Sequence, residues 1–318
     1  MHCHTAGIGS NSECFISDEL RKSWKINFYF KSFNSSIEEL EEKGDQILLK
    51  HISDYLKESK YLDGVVILAM DGVITDGKLD KEQTEIYVPS DYVARETKKY
   101  ANLYYGASIN PNRPDAIERM RQAKKDGAVL MKWLPSVMFF DPSDEKYIPF
   151  YEELIKLDIP LLTHAGHERS FTLAKNELAD PKKLLLPLKL GVTVIAAHIG
   201  CSGKNDGQDN MQRLIEMMDD YPNLYADISS LTQLNKLGFM SEALRTESLK
   251  GRLLYGTDFP LIETGLTHPI FHAFNLTASE IQEIQAHKNP FDQDIILKQK
   301  LGLSPDVFSR SAKLLKLD

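Results

Sequence analysis

The chain has 318 residues, 42% of them apolar in the broad sense and 26% charged, with 38 Lys plus Arg against 46 Asp plus Glu and a formal charge of −8. That composition suits a folded protein with a sizeable core, and its mixed, net acidic charge argues against a partner gripped through a phosphate backbone. Three scattered cysteines, Cys3, Cys14 and Cys201, are too few for a disulfide framework or a CxxC zinc site and fit a reducing compartment. No apolar run approaches the roughly 20 residues that span a bilayer, and the N-terminus lacks a signal-peptide layout. The expectation is a cytoplasmic protein with neither a membrane nor a nucleic acid as partner.

Along the chain, short aliphatic and β-branched runs alternate with stretches of helical spacing, with no internal repeat and no long linker. A short strand at 1–4 is followed by a long aromatic-rich segment, 7–34, and by a helix over 45–59. Strands at 65–70 and 103–110 precede a helix at 114–125, opened by Asn112 or Arg113 before Pro114. A strand at 128–134, a helix at 144–157, a strand at 160–164 and a helix at 181–190 come next. Strands at 193–198, 223–229 and 252–258 alternate with helices at 208–220 and 241–249. Segment 264–288 and a closing helix at 304–315 complete the chain. Most strands read as continuous apolar runs, the pattern of strands covered on both faces. Eight strands with helical crossovers predict an α/β fold, a (β/α)8 TIM barrel formed by a single domain over 1–318. An open doubly wound sheet is the competitor, and it lacks any GxGxxG or Walker loop here.

Chemistry-bearing residues collect at strand ends. In His2-Cys3-His4, a strand directs both imidazoles to one face and the thiol to the other. His164 closes one strand, His198 another, and Asp258 the last. Taken singly, a histidine at a strand end is more often a hydrogen-bonded core or loop residue. Jointly, these tips converge on the face where barrel enzymes place their active sites. Three histidines and a carboxylate with room for water suit Zn²⁺, with Mn²⁺ also admissible.

The ordered set His2-Cys3-His4, Lys132 in Met131-Lys132-Trp133-Leu134-Pro135, Thr163-His164-Ala165-Gly166, Ala197-His198-Ile199-Gly200 and Gly256-Thr257-Asp258-Phe259-Pro260 resembles the amidohydrolase superfamily. More narrowly, it is similar to the TIM-barrel metal-dependent hydrolases that include aminocarboxymuconate semialdehyde decarboxylase, γ-resorcylate decarboxylase and pyrone dicarboxylate lactonase. The resemblance implies that His2, His4, His164 and Asp258 ligate one divalent metal. It makes His198 the non-ligand base or hydrogen-bonding partner of a water, with Asp258 also accepting a proton. Lys132 is expected to contact substrate, although other branches of the superfamily carboxylate such a lysine to bridge two metals; the alternative is a structural lysine. Trp133, His167 and Arg169, just past strand tips, are expected to hold an anionic or aromatic substrate, or else to pack. Asp71, after Ala69-Met70, is placed to line the mouth, although Asp71-Gly72 also reads as an ordinary turn; Cys201 reads as a small loop residue.

The resulting expectation is a hydrolase of small carboxylated esters, lactones or amides. A non-oxidative decarboxylase using the same site, and a barrel that has lost metal and catalysis, remain the alternatives. The resemblance alone points to a homodimer. Only Met1 precedes His2, whereas a barrel strand takes roughly five residues. The first strand therefore reads as truncated, the natural chain is expected to begin upstream, and an open seam beside a weakened metal site is expected without those residues.

Overall fold

Residues that are buried at every position of a strand need cover on both faces, and Val65–Leu68, Leu161–His164 and Val194–Ala197 are all of this kind. In the computed structural model, which describes residues 1–317 with the Lys25 side chain excepted, they belong to one sheet of eight parallel strands. In chain order these are β1 (Cys3–His4), β2 (Val65–Leu68), β3 (Leu103–Ala107), β4 (Ala128–Trp133), β5 (Leu161–His164), β6 (Val194–Ala197), β7 (Leu224–Asp227) and β8 (Leu253–Leu254). Each pairs with the next, as in a (β/α)8 barrel.

The barrel closes through its shortest strand. Cys3 bridges to Phe259 in parallel, and the backbone N–H of His4 donates to the Phe259 carbonyl at 2.8 Å. From the other side, the N–H of Asp258 donates to the His2 carbonyl at 2.7 Å and that of Thr257 to the Met1 carbonyl at 3.2 Å. The expected open seam is therefore absent: segment 255–259, beyond the two-residue β8, supplies the edge that β1 needs. Each such bond is worth about 0.5–1.5 kcal/mol net, and together they set His2 beside Asp258.

Inside the barrel, Val66, Leu68, Leu130, Leu162, Ile195 and Leu254 form an inner cluster with Met1 and Leu315. Their neighbours Val65, Ile67, Met131, Leu161, Val194 and Ala196 face outward into the larger core under the helices. The closing helix, Pro305–Leu315, plugs the N-terminal end, where Ser311 Oγ donates to the Tyr255 carbonyl at 2.9 Å. The C-terminal end stays open for loops.

Several helices are shorter than the apolar spacing suggests. The stretch at 208–220 begins with a two-residue pair, Gln208–Asp209 against Lys204–Asn205, before the helix Asn210–Met218. Those at 144–157 and 181–190 open as 3-10 turns. Ser90–Thr97, after Pro89, is a helix that the spacing did not single out, with Tyr92 and Val93 buried against the barrel. Segment 7–34 contains the helices Asp18–Lys22 and Trp24–Ser32, and the Asp45 carboxylate anchors its start by accepting from the N–H groups of Ile8 at 2.9 Å and Gly9 at 3.0 Å. Among the described residues, no helix is long and apolar enough to cross a membrane.

Candidate metal centre

Alternation along each strand decides which side chains enter the barrel. Cys3 packs in the outer core, so His2 and His4 face inward; Leu130 and Leu162 belong to the inner cluster, so Lys132 and His164 share their face. By the same parity, His198, next to inward Ala197, would face out. Its φ of 54° departs from the strand and turns it back toward the axis. His2 and Asp258 also have positive φ, 61° and 59°. A non-glycine residue there costs about 1–2 kcal/mol, and such residues cluster at functional sites.

These same three residues come closest together: one ligand atom each from His2, His198 and Asp258 lies within 4.8 Å of the others. His4 Nε2 is 3.1 Å and His2 Nε2 3.5 Å from Asp258 Oδ1, while His198 Nε2 is 3.9 Å from Asp258 Oδ2. The His164 and His198 ring centroids are 5.3 Å apart. Thus all five residues expected at the centre meet at one end of the barrel, but the tightest trio includes His198 and leaves His4 and His164 at its margin.

Hydrogen bonds orient the rings. His2 Nδ1 lies 2.7 Å from Asp227 Oδ2, and the carboxylate can only accept, so Nδ1 carries the proton and Nε2 keeps its lone pair. His198 Nδ1 lies 3.0 Å from the Ser229 carbonyl, with the same consequence. His164 Nδ1 is 3.6 Å from Glu168 Oε2, and its buried Nε2 has no hydrogen-bond partner. Ser230 Oγ donates a short bond to Asp258, and Asp227 Oδ1 accepts from the backbone N–H of His198 at 2.9 Å and of Ser229 at 3.0 Å. Gly256 leaves close room beside His2: a Cβ there would lie 3.1 Å from both His2 Cβ and Ser229 Cβ, so these neighbours would have to yield by a few tenths of an ångström.

Burial pushes His2 down to about 4, aided by the Lys132 charge, and also lowers His164 and His198. Burial alone would raise the two aspartates, but imidazole charges outweigh it: His2 foremost at Asp227, and His198 followed by His2 at Asp258, hold both well below the usual carboxylate range. Neutral imidazoles and ionised carboxylates are the donor forms a divalent cation needs. Pinned Nδ1 atoms with free Nε2 atoms form the carboxylate–histidine arrangement that fixes metal-binding tautomers. The residues therefore fit a divalent cation. Lys132 Nζ is the competing charge, 3.2 Å from His2 Nε2, and burial pushes it down to about 8.

One sequence expectation is corrected outright. Trp133 does not face the cavity: strand parity turns it outward, where it is fully buried against Phe140, Phe150 and Tyr151 and its Nε1–H donates to the Ile109 carbonyl at 2.7 Å. It is a core residue. Lys132 does line the central cavity, a space of about 810 Å³ with its open mouth. His167 and Arg169 line an adjoining compartment that shares His164, His198 and Asp258 with it. His167 Nε2 sits 3.1 Å from the Lys204 carbonyl. Asp71 is a structural turn residue, paired with both Arg113 Nε and Nη2 at 2.6 Å, and Cys201 is buried with its thiol pushed up by burial. Asp227, Ser229, Ser230 and Glu168 were not anticipated. Asp227 carried the available signal: it ends an apolar strand run, as the histidines do.

Fold and centre together define a TIM-barrel protein with a histidine–aspartate centre at the C-terminal end of its strands. The chain belongs to the amidohydrolase family, whose model matches residues 52–294. That match contains Lys132, His164, His198 and Asp258 and begins after His2 and His4. Among solved structures, a protein assigned as a 2-pyrone-4,6-dicarboxylic acid hydrolase from Pseudomonas putida is similar at 10% identity and TM-score 0.56, covering 99% of this chain and 96% of that one. A protein assigned as an amidohydrolase from Staphylococcus aureus is 12% identical with TM-score 0.55, covering 99% and 98%. A TIM-barrel protein from Bordetella bronchiseptica is 17% identical with TM-score 0.54, covering 87% and 90%. At these identities the likeness shows the shared fold alone. No curated protein matches the chain.

Proposed function

We propose that the protein is a metal-dependent hydrolase of a small carboxylated ester, lactone or amide, with one divalent cation, Zn²⁺ or Mn²⁺, held among His2, His4, His164 and Asp258. The observation that carries this reading is the convergence of imidazole Nε2 atoms on the Asp258 carboxylate while Asp227 and the Ser229 carbonyl hold the opposite ring nitrogens of His2 and His198. A bound cation would polarise the substrate carbonyl and lower the pKa of a water.

The chain's own residues do the rest. Asp258, kept ionised, takes the proton that water loses as its oxygen adds to the carbonyl carbon. His198, with Nε2 facing Asp258, orients that water. When the C–O or C–N bond breaks, the proton passes from Asp258 to the leaving oxygen or nitrogen, and the acid and the alcohol or amine depart. Lys132 contacts the substrate from the cavity wall.

The test is metal content per chain of protein purified without chelator, beside His4→Ala, followed by a panel of carboxylated esters, lactones and amides. Close to one equivalent, lost in the variant, with acid release from at least one panel member, is expected. Absence of metal after incubation with Zn²⁺ or Mn²⁺ would overturn the proposal.

A further inference from the structure

Two compartments of opposite character meet at the candidate centre. The larger is walled by Ile26, Tyr29, Phe30 and Phe33, from the Trp24–Ser32 helix and the residues just after it, and by Met70 and Phe171 across from them. It opens onto His2, His4, His164, His198 and Asp258. Its polar groups are concentrated at the centre, leaving the rest of the chamber suited to an apolar group.

The smaller compartment, about 480 Å³ with its mouth, lies on the other side of His164, His198 and Asp258 and is walled by Arg169, Ser202, Gln233, Asn235 and Lys236. Its carboxylates are already engaged. Glu168 Oε1 accepts from the backbone N–H groups of Arg169 at 2.8 Å and Ser170 at 2.6 Å, and Oε2 faces His164. Asp258 accepts from Ser230 and faces the imidazoles. Three of its side-chain donors, on Gln233, Arg169 and Lys236, are not engaged. Gln233 is 4% exposed, and its buried Nε2 has no hydrogen-bond partner. Among the described residues, neither Arg169 nor Lys236 forms an ion pair. Lys236 is near enough for its charge to be felt at His164 and His198. A buried amide N–H₂ without an acceptor is costly to leave unmade, and the two cations that line the same compartment favour an anion as that acceptor.

We propose that the substrate is an amphiphilic carboxylate. Its aryl or alkyl arm fills the chamber beneath the Trp24–Ser32 helix, and its carboxylate lies against Gln233, Arg169 and Lys236. The bond to be cut is held between them, at His2, His198 and Asp258. This rests on the hydrolytic reading for the cut but not for the binding.

The experiment therefore measures both, on the metal-loaded protein. Titration calorimetry with 4-phenylbutyrate, 4-phenylbutan-1-ol and succinate separates the two arms. The phenylbutyrate is expected to bind about tenfold more tightly than the alcohol at low salt, the modest gain that solvent-accessible cations give, and the preference should shrink as salt is raised. Arg169→Met with Lys236→Met should abolish that preference. Phe171→Ala should weaken phenylbutyrate and the alcohol alike and leave succinate unchanged. Equal binding of acid and alcohol, or a preference that survives the double substitution, overturns the inference; thermal unfolding of each variant confirms that it is folded. Phenylacetylglycine and its methyl ester are followed for amide cleavage in parallel. Binding in the expected pattern with no bond cut retains this inference and removes the hydrolytic one. Cleavage with no preference for the acid does the reverse.

Discussion

Asp227→Asn tests the centre through a residue that touches neither substrate nor cation. The Asp227 carboxylate is fully buried and accepts from His2 Nδ1 at 2.7 Å, from two backbone N–H groups at 2.9 and 3.0 Å, and from Ser229 Oγ. An asparagine can keep its oxygen on the two backbone groups, but it then presents an N–H₂ to His2. The ring must answer with a lone pair on Nδ1, which moves the proton to Nε2 and removes that atom as a donor. Loss of such an orienting partner costs about 10–100-fold in metal affinity, or about 1.4–2.7 kcal/mol. The lost charge-assisted bond costs the metal-free fold about 1.5–3 kcal/mol. Because Asp227 is held below its unfolded value, this stabilisation is complete above the unfolded pKa of about 3.9 and fades as pH falls through the folded one. The gap between wild type and variant is therefore full at pH 7 and shrinks in acid. Chelator competition with Zn²⁺ gives the affinity, and urea denaturation of metal-free protein gives the stability. An affinity within about threefold of wild type would refute the tautomer argument.

Other substitutions probe the fold that carries the site. Arg113→Met leaves the Asp71 carboxylate buried without its bidentate partner and should cost about 3–5 kcal/mol in urea denaturation. Gly166→Ala should destabilise more than Gly191→Ala. Both glycines have positive φ, 87° and 101°, but only at Gly166 would the added Cβ also meet backbone, at 2.6 Å from the Cys201 carbonyl oxygen; their melting temperatures should separate accordingly. Trp133→Phe gives up the bond to the Ile109 carbonyl and some core volume and should lower stability by about 1–3 kcal/mol, with KM for any substrate found unchanged. A raised KM with unchanged stability would restore Trp133 to the cavity.

The barrel was legible because its strands are covered on both faces, so 65–70, 128–134, 160–164 and 193–198 stand out as apolar runs whatever their exact ends. The centre was legible because the chemistry sits at the ends of those runs. Trp133 was misplaced by treating the tip of a strand as a region rather than as two faces. Period two, counted back to Met131 and Leu130, sends Lys132 in and Trp133 out. Asp227 escaped because a carboxylate after Ala226 looks like any strand-ending turn residue; its role exists only once barrel closure brings His2, just before β1, within hydrogen-bond reach of the end of β7. Closure of the seam was not legible either. It depends on backbone bonds between residues about 255 positions apart, which leave no local pattern.

His198 shows most clearly where sequence and geometry part. An apolar run followed by histidine predicts the strand tip, yet parity alone would point that histidine into the helical layer. What brings it inward is a left-handed backbone, a region that histidine enters more often than most non-glycine residues, so the residue type permits the turn without announcing it. The bond from its N–H to Asp227 Oδ1 helps offset that cost of about 1–2 kcal/mol. The other oxygen of the same carboxylate fixes the His2 tautomer. Asp227 thus couples the turn of one imidazole to the protonation of the other. Removing the whole carboxylate, as in Asp227→Ala, should displace His198 and disarm His2 together, where Asp227→Asn disarms His2 alone; a change at Glu168, which faces His164 alone among the imidazoles, should leave that pair in place.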